Sequence, residues 1–313
     1  MSVSVVICAY TIDRWEQLVL AMDSLSAQTP SHETILVVDH NDELLERARS
    51  RWPDSIVLSN TARRGLSGGR NTALEAATGE VVAFLDDDAA AEPGWLEALV
   101  APFSDARVVA VGGSASPVWP GEPPAALPEE LLWIVGCSYL GLPGAGPIRN
   151  VMGCSMAFRR EPLLAIGGFN PDTGRVGTLP IGCEETEACI LLRQADPTRT
   201  ILYAPAANVR HHVSADRVRL AYVAHRSWCE GLSKAGIART VGRQDALVAE
   251  SAYATRVLPA GVWREIRRGR AGLVPAFAIA LSLGLAGFGY VCGSLAAVRP
   301  GAARAPLTDG ARV

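Results

Sequence analysis

An α/β fold with an open, mostly parallel sheet, helices on its flanks and further helices at the C-terminal end is what this 313-residue chain predicts. Three observations carry it. Short apolar runs at 3–10 ("VSVVICAY"), 34–39 ("TILVVD") and 80–88 ("EVVAFLDDD") are continuous rather than alternating, as strands buried on both faces are. The segments between them, "DRWEQLVLAMDSLSAQ" and "SGGRNTALEAAT", repeat their apolar residues at helical spacing. Each run ends on a polar or aromatic residue, so Tyr10, Asp39 and the cluster Asp86, Asp87 and Asp88 converge at the carboxyl edge, where open sheets of this kind bind ligands.

Further along, "VVAVGGSASPV" (108–118) reads as a strand and the proline-rich "WPGEPPAALPEE" as a long surface loop. "VMGCSMAFRREPLLAIGGF" (151–169) predicts a strand and a short helix. "CEETEACILLRQAD" predicts a helix with acids in its first turn and Arg193 near its end, matching the macrodipole. A strand at "TILYAPAANVRHHV" and amphipathic helices at "DRVRLAYVAHRSWCEGLSKAGI" and "QDALVAESAYATRVL" follow. The organisation expected is a main domain over 1–235, a helical extension over 236–270, a hydrophobic segment over 271–298 and a disordered tail over 299–313.

Bulk properties narrow the function. A net charge of -3 gives no general affinity for nucleic acid. Seven cysteines form no CxxC pair and no regular framework, which speaks against a structural zinc site or a disulfide scaffold and for a reducing, cytoplasmic setting. "MSVSVVICAYT" has no basic region or cleavage site of a signal peptide. From Ala271 to Val298 no residue is charged, and Arg264, Arg267, Arg268 and Arg270 precede the stretch. It is long enough to cross a hydrocarbon core and carries Gly289 and Gly293 at the spacing of close helix contacts in membranes, yet Pro275 and five glycines favour a broken or interfacial helix. The arginines place the main domain on the cytosolic side, at the inner face of the plasma membrane.

Three consecutive carboxylates at a strand end repel one another and need an offset. A solvated turn with one aspartate capping a helix over "AAAEPGWLEALV" is one answer. A divalent cation, held by one or two carboxylates and a substrate's phosphate oxygens, is the other. "RRGLSGGRNTAL" offers glycines for close backbone approach and Arg70 for forked pairing with phosphate; it lacks the GxGxxG spacing of a dinucleotide site.

The ordered set "SVVICAYT", "VVDHND", "GLSGGRNTALEAATGEVVAFLDDD", "GCSMAFRR", "GGF" and "GCEETEACILLR" resembles a family-2 glycosyltransferase of the GT-A fold, over about residues 3 to 235, in an actinobacterial-type variant whose acidic motif reads GCEETE. The resemblance implies a metal-dependent, inverting transfer of a sugar from a nucleotide-diphosphate donor, with UDP the expected nucleotide and Mg2+ or Mn2+ the cofactor. It puts Tyr10 against the base, although Cys8 and Ala9 stand where the family has Pro-Thr, and Asp39 as an acceptor from the base, with His40 in place of the usual second acid. Thr11, Arg14, Arg70, Asn71, Asp86 and Asp87 complete the implied donor set, with Asp86 toward the ribose and Asp88 on the metal. Glu185 stands at the family's catalytic acid and is the expected base, with Glu184 beside it and Glu187 as helper or cap. Either His211 or His212 completes the metal shell; successive strand residues face opposite ways, so one of the two can.

The implied partners are the donor, an acceptor that is either a lipid-linked glycan or a small molecule, the membrane, and a second copy of the chain in a homo-oligomer. Two rivals stand beside this. A sugar-phosphate nucleotidylyltransferase would carry a glycine-rich loop after the first strand, and "CAYTIDRW" has none. A non-catalytic, membrane-tethered sugar-nucleotide binder shares the fold, which does not by itself set the function.

Overall fold

The structure is a computed structural model that describes residues 1–174 and 182–296. The expected tail over 299–313 lies outside the described residues. One sheet runs through the chain in the order β3-β2-β1-β4-β8-β6-β9-β5, with β7 paired to β9. Its strands are β1 (Val3–Ala9), β2 (Glu33–Val38), β3 (Ile56–Ser59), β4 (Val81–Asp86), β5 (Ala89–Ala91), β6 (Val108–Val118), β7 (Gly146–Pro147), β8 (Ser155–Arg159) and β9 (Thr200–His212). The first four are mutually parallel; β8 enters antiparallel to both β4 and β6, and β6 and β9 are parallel again.

Three strands were not legible in the sequence, the two-residue β7 among them. β3 is a four-residue edge strand, too short and too exposed to show a period. β5 occupies three alanines that intrinsic propensity assigns to a helix. Pairing with His211, Arg210 and Val209 of β9 overrides that preference, and the helix starts only at Trp95, after Pro93 and the left-handed Gly94. Of the two answers for the aspartates, an aspartate capping a helix at this point is not what the fold shows: Asp87 and Asp88 form a strand-to-strand corner.

Helices α1 (Trp15–Leu25), α2 (Asp42–Arg51) and α4 (Trp95–Val100) cover one face of the sheet; α3 (Leu66–Ala76), α5 (Arg160–Ala165) and α6 (Glu184–Ala195) cover the other. Alternation along β1 divides its side chains accordingly, with Val5 and Ile7 in the first core and Val6 in the second. In the second core Phe84, Phe158 and Phe169 meet edge to face at centroid distances of 6.4, 5.3 and 5.7 Å, each pair worth about 0.5–1.5 kcal/mol beyond its buried area.

Beyond the sheet come α7 (Leu220–Val241), α8 (Arg243–Ala252), a π-helical turn (Tyr253–Val257), α9 (Leu258–Ile266) and α10 (Leu273–Leu295). A third core joins α7, α9 and α10 to the 3-10 helix Glu129–Val135 through Leu131, Ile134, Val223, Leu258 and Ile279. The proline-rich segment before that helix is irregular, as expected, and buries Ala126 and Leu127 in the same core.

α10 is unbroken, against the expectation set by Pro275. That residue is third in the helix, where the backbone N–H has no intrahelical partner to lose. Gly289 and Gly293 serve contact instead of breakage. A Cβ at Gly289 would meet the Trp228 carbonyl, one at Gly231 would meet that of Ala286, and one at Gly293 would lie 2.8 Å from the Ala235 Cβ. Ser227 and Ser282 share a buried 2.8 Å hydrogen bond across the same seam. Gly289→Val should accordingly lower unfolding stability by about 1–3 kcal/mol in chemical denaturation, the usual cost of overpacking a tight contact.

Candidate active site

The carboxyl ends of β1, β2 and β4 open into a cleft of about 1070 Å³. Tyr10, Asp39, Asp86, Asp87 and Asp88 all line it, as do Arg14, Arg70, Glu184, Glu185 and His211. Asp39 is fixed by three donors: Asn60 Nδ2 at 2.6 Å, the Gly65 backbone N–H at 2.9 Å and His40 Nδ1 at 2.9 Å. Gly65 takes φ 122° there, a conformation closed to most side chains.

The three aspartates are handled differently. Asp87 is buried; its Oδ1 accepts from Arg14 at 2.9 Å, and its Oδ2 has no partner among the described residues. Burial, then the neighbouring Asp88, pushes its carboxyl up to about 7. Burial would raise Asp88 as well, but His211 at 3.2 Å, Arg14 at 3.0 Å and Arg217 at 3.8 Å overcome it and hold that carboxyl well below the usual range. The attraction is mutual: burial disfavours the His211 cation, and Asp88 outweighs it, raising the imidazole to about 10. Oxygens of Asp86 and Asp88 and a ring nitrogen of His211 lie within 4.8 Å of one another. Two hard oxygen donors, an imidazole and an unsatisfied carboxylate oxygen next to them fit a divalent cation such as Mg2+ or Mn2+.

Several expected residues stand elsewhere. His212 follows His211 on β9 and projects the other way, outside this cluster, because strand side chains alternate. Asn71 does not reach the cleft; its side chain clamps Phe169, accepting from the Phe169 N–H and donating to the Phe169 carbonyl, both at 2.8 Å. Thr11 is not among the lining residues and caps the 3-10 turn Ile12–Arg14 by accepting from the Asp13 N–H. Glu187 faces away from the cleft and accepts from Asn170 and Thr173 at 3.1 and 2.8 Å.

Arg70 lines the cleft but is only 2% exposed, and its guanidinium is engaged by protein: Glu184 Oε1 at 2.8 Å, Asp86 Oδ1 at 3.2 Å and the Gly153 carbonyl at 3.0 Å. The phosphate fork expected of it is replaced by a tie between the end of β4 and the start of α6. Glu185, next on α6, is half-buried at the cleft wall. Burial, then the charge of Glu184, pushes its carboxyl up to about 7.

The other wall was not foreseen. Arg226, Glu230 and Lys234 rise from one face of α7 at four-residue spacing, a periodicity visible in "HRSWCEGLSK" but carrying no motif. Lys234 Nζ lies 2.7 Å from Glu250 of α8 and 3.3 Å from Glu230, Arg226 pairs with Glu230 at 2.8 Å, and Arg149 reaches Glu250 at 2.6 Å. The start of α6 lies between the two halves, with Glu184 on Arg70 and the Cys183 thiol 3.8 Å from Glu230.

A sheet whose carboxyl edge carries a carboxylate–imidazole cluster, roofed by a second, irregular wall, is the architecture of a GT-A glycosyltransferase. A mannosyltransferase from Pyrobaculum calidifontis, solved in complex with GDP-Man and Mn2+, has the same fold: TM-score 0.58 at 18% identity, over 92% of this chain and 86% of that one. The Glycosyl transferase family 2 profile matches residues 4–167, and the chain belongs to that family. Among its relatives, the glucosyl-dolichyl phosphate glucuronosyltransferase of Haloferax volcanii is 36% identical over 240 residues, which is 75% of this chain and 76% of that protein. The succinoglycan biosynthesis protein ExoM of Rhizobium meliloti is 26% identical over 82% of this chain and 78% of its own length. This chain is thus a glycosyltransferase.

Because Arg70 is buried with two acids, Arg70→Met should destabilise the fold by about 3–5 kcal/mol, the cost of stranding a buried charge. Adding Glu184→Gln should recover part of that loss, and a double-mutant cycle in denaturant reads the coupling directly.

Proposed function

We propose that the chain transfers a sugar, with inversion, from a nucleotide-diphosphate donor, UDP being the nucleotide, to a hydroxyl of a lipid-linked acceptor at the cytosolic face of a membrane. The observation that carries the reading is one cleft that gathers the Asp86–Asp88–His211 cluster and a half-buried Glu185 whose carboxyl is pushed up to about 7. Tyr10 and Asp39 close the base end, and Asp86 serves the ribose side. Asp86, Asp88 and His211 would hold the divalent ion, which when bound neutralises charge on the departing diphosphate.

Glu185 acts as the general base. The acceptor oxygen bonds to the anomeric carbon, the bond from that carbon to the diphosphate breaks, its electron pair leaves with the nucleoside diphosphate, and the hydroxyl proton passes to the Glu185 carboxylate. A base with a pKa near neutrality suits this, since enough of it is ionised while it still holds a proton well. Burial raises that pKa most, and Glu184, tied to Arg70, raises it further through its charge. The lipid-linked acceptor is supported by the apolar α10, which borders the cleft through Ser282, Leu283 and Ala286, and by the acceptor in the name of the Haloferax relative.

A thermal-shift screen of nucleotide sugars with and without Mn2+ tests the donor half, since a ligand that binds only the folded state raises its apparent stability. UDP with Mn2+ should stabilise the parent, and Asp88→Ala should abolish the metal-dependent part of the shift. An unchanged response would remove Asp88 from the site.

Glu185→Gln should keep donor binding and lower turnover by roughly a hundredfold or more. The base works deprotonated, so kcat/KM should rise with pH through about 7 and fall on the acid side. Glu184→Gln removes a nearby negative charge and frees the Arg70 cation, and both changes favour the Glu185 carboxylate. The acid limb should therefore move to lower pH in that variant, a shift that a limb set by Asp87 would not show.

A further inference from the structure

α10 satisfies the length and composition of a membrane-crossing helix, with a mean hydropathy of 1.9 over its most apolar window, but the packing around it points to a different arrangement. Its inner side is bound to α7 along most of its length. The seam runs from the Ser227–Ser282 hydrogen bond, through Gly231 and Gly289 at backbone contact, to Gly293 against Ala235, and Arg239 Nη1 donates to the Gly293 carbonyl at 2.7 Å. Toward its N-terminal end, Ala278 and Ile279 are locked into the core shared with Leu131 and Leu258. α7 itself carries Arg226, Glu230 and Lys234 on the cleft, so it cannot enter hydrocarbon without desolvating several charges. A helix held to such a neighbour over most of its length cannot have lipid on all sides.

The outer side is nevertheless apolar from end to end. Phe277 is 56%, Phe288 59% and Val291 53% exposed, with Leu273, Val274 and Leu295 also exposed, and no charged residue interrupts the stripe. Scattered exposed apolar residues are ordinary in soluble proteins; a continuous stripe of this length marks an interaction surface. At its N-terminal end the stripe meets exposed Trp263 and Ile266 of α9, with the Arg267 guanidinium stacked 4.8 Å from the Trp263 ring. Four arginines, Arg264, Arg267, Arg268 and Arg270, gather at this corner against two buried acids, Glu130 and Glu265, that pair with Arg264 and Arg268. The corner keeps a positive excess in Arg267 and Arg270.

We infer that α10 and the end of α9 dock in the plane of an anionic leaflet, without crossing it: the Phe277–Phe288–Val291 stripe enters the head-group boundary, and Arg267 and Arg270 meet lipid phosphates. The inference rests on the membrane-side reading above and adds its geometry. An apolar stripe flanked by tryptophan and arginine matches the two components of a leaflet surface, hydrocarbon and anionic head groups, and burial of such a face by roughly 5–10 Å is what interfacial helices show. The docking also sets the cleft beside the lipid, because Leu283 and Ala286 of the same helix line it.

Depth measurement tests the geometry. Phe277, Gly284 and Val291 are two helical turns apart on the outer side, and a side chain at Gly284 meets nothing within 4 Å. In a Cys8→Ala, Cys292→Ala background of the full chain, Phe277→Cys, Gly284→Cys and Val291→Cys are each labelled with an environment-sensitive fluorophore. They are mixed with vesicles of phosphatidylcholine and phosphatidylglycerol carrying quenchers at shallow and deep positions. In-plane docking gives all three labels the same shallow depth, and Arg267→Glu with Arg270→Glu weakens vesicle binding by about tenfold or more. A Gly284 label far deeper than the other two means that the helix spans, and overturns the inference. So does absence of vesicle binding together with a concentration-dependent doubling of mass, which assigns the face to a second copy. Thermal shifts with UDP and Mn2+, measured on the Arg267→Glu, Arg270→Glu variant, report separately on the donor site and stay at the parental value whether or not docking fails.

Discussion

The site depends on one buried cation. Arg70 leaves α3 beneath the cleft and divides its guanidinium between Asp86 at the end of β4 and Glu184 at the start of α6, two elements about a hundred residues apart in sequence. Its burial is costly unless both acids are present, and theirs is costly without it, so the three side chains fix one another's place. The rings of Phe84 and Phe169 lie 5.9 and 5.5 Å from its guanidinium carbon, which binds this polar knot to the aromatic core below. Asn71, one residue on, clamps Phe169 from the other side. The cleft's floor is therefore rigid for reasons that have nothing to do with any ligand.

From that floor the charges are graded. Asp86 faces Arg70, Asp88 faces His211, Arg14 is shared by Asp87 and Asp88, and one Asp87 oxygen is left without a partner among the described residues. That oxygen, Oδ2, stands next to the Asp86 and Asp88 oxygens and the His211 imidazole, a donor set that fits a divalent cation. On α6 the same logic runs in reverse. Glu184 spends its charge on Arg70, while Glu185 is left at the cleft wall with its ionised form disfavoured by burial and by its neighbour. Two adjacent glutamates thus receive different chemistry from a one-residue difference in direction.

The C-terminal helices complete the cleft as well as flanking it. α7 supplies Arg226, Glu230 and Lys234 on one side and, through Gly231, accepts α10 on the other. Tyr253 ties the helices to the 3-10 wall by donating to the Glu130 carbonyl, and Trp133 Nε1 donates to its hydroxyl at 3.1 Å. The apolar helix is in this way coupled by packing to the wall of the site, and among the described residues its outer face is left uncovered.

Local pattern alone determined the strands β1, β2 and β4, the acid-rich helix start and the convergence of Tyr10, Asp39 and the aspartates on one edge, because period and strand polarity are properties of short segments. The family was legible for the same reason: its motifs are contiguous. What pattern could not decide was direction and partnership. Which histidine turns inward on β9, whether Arg70 offers its guanidinium to a phosphate or to two acids, and whether Asn71 faces a ligand or Phe169 all depend on residues tens of positions away. The three alanines of β5 became a strand because β9 lay beside them, against their own propensity. Likewise the uncharged stretch after Arg270 has the composition of a spanning helix. Only the glycine seam with α7 shows one side given to protein, since composition counts residues around a helix and tertiary packing assigns them to a face.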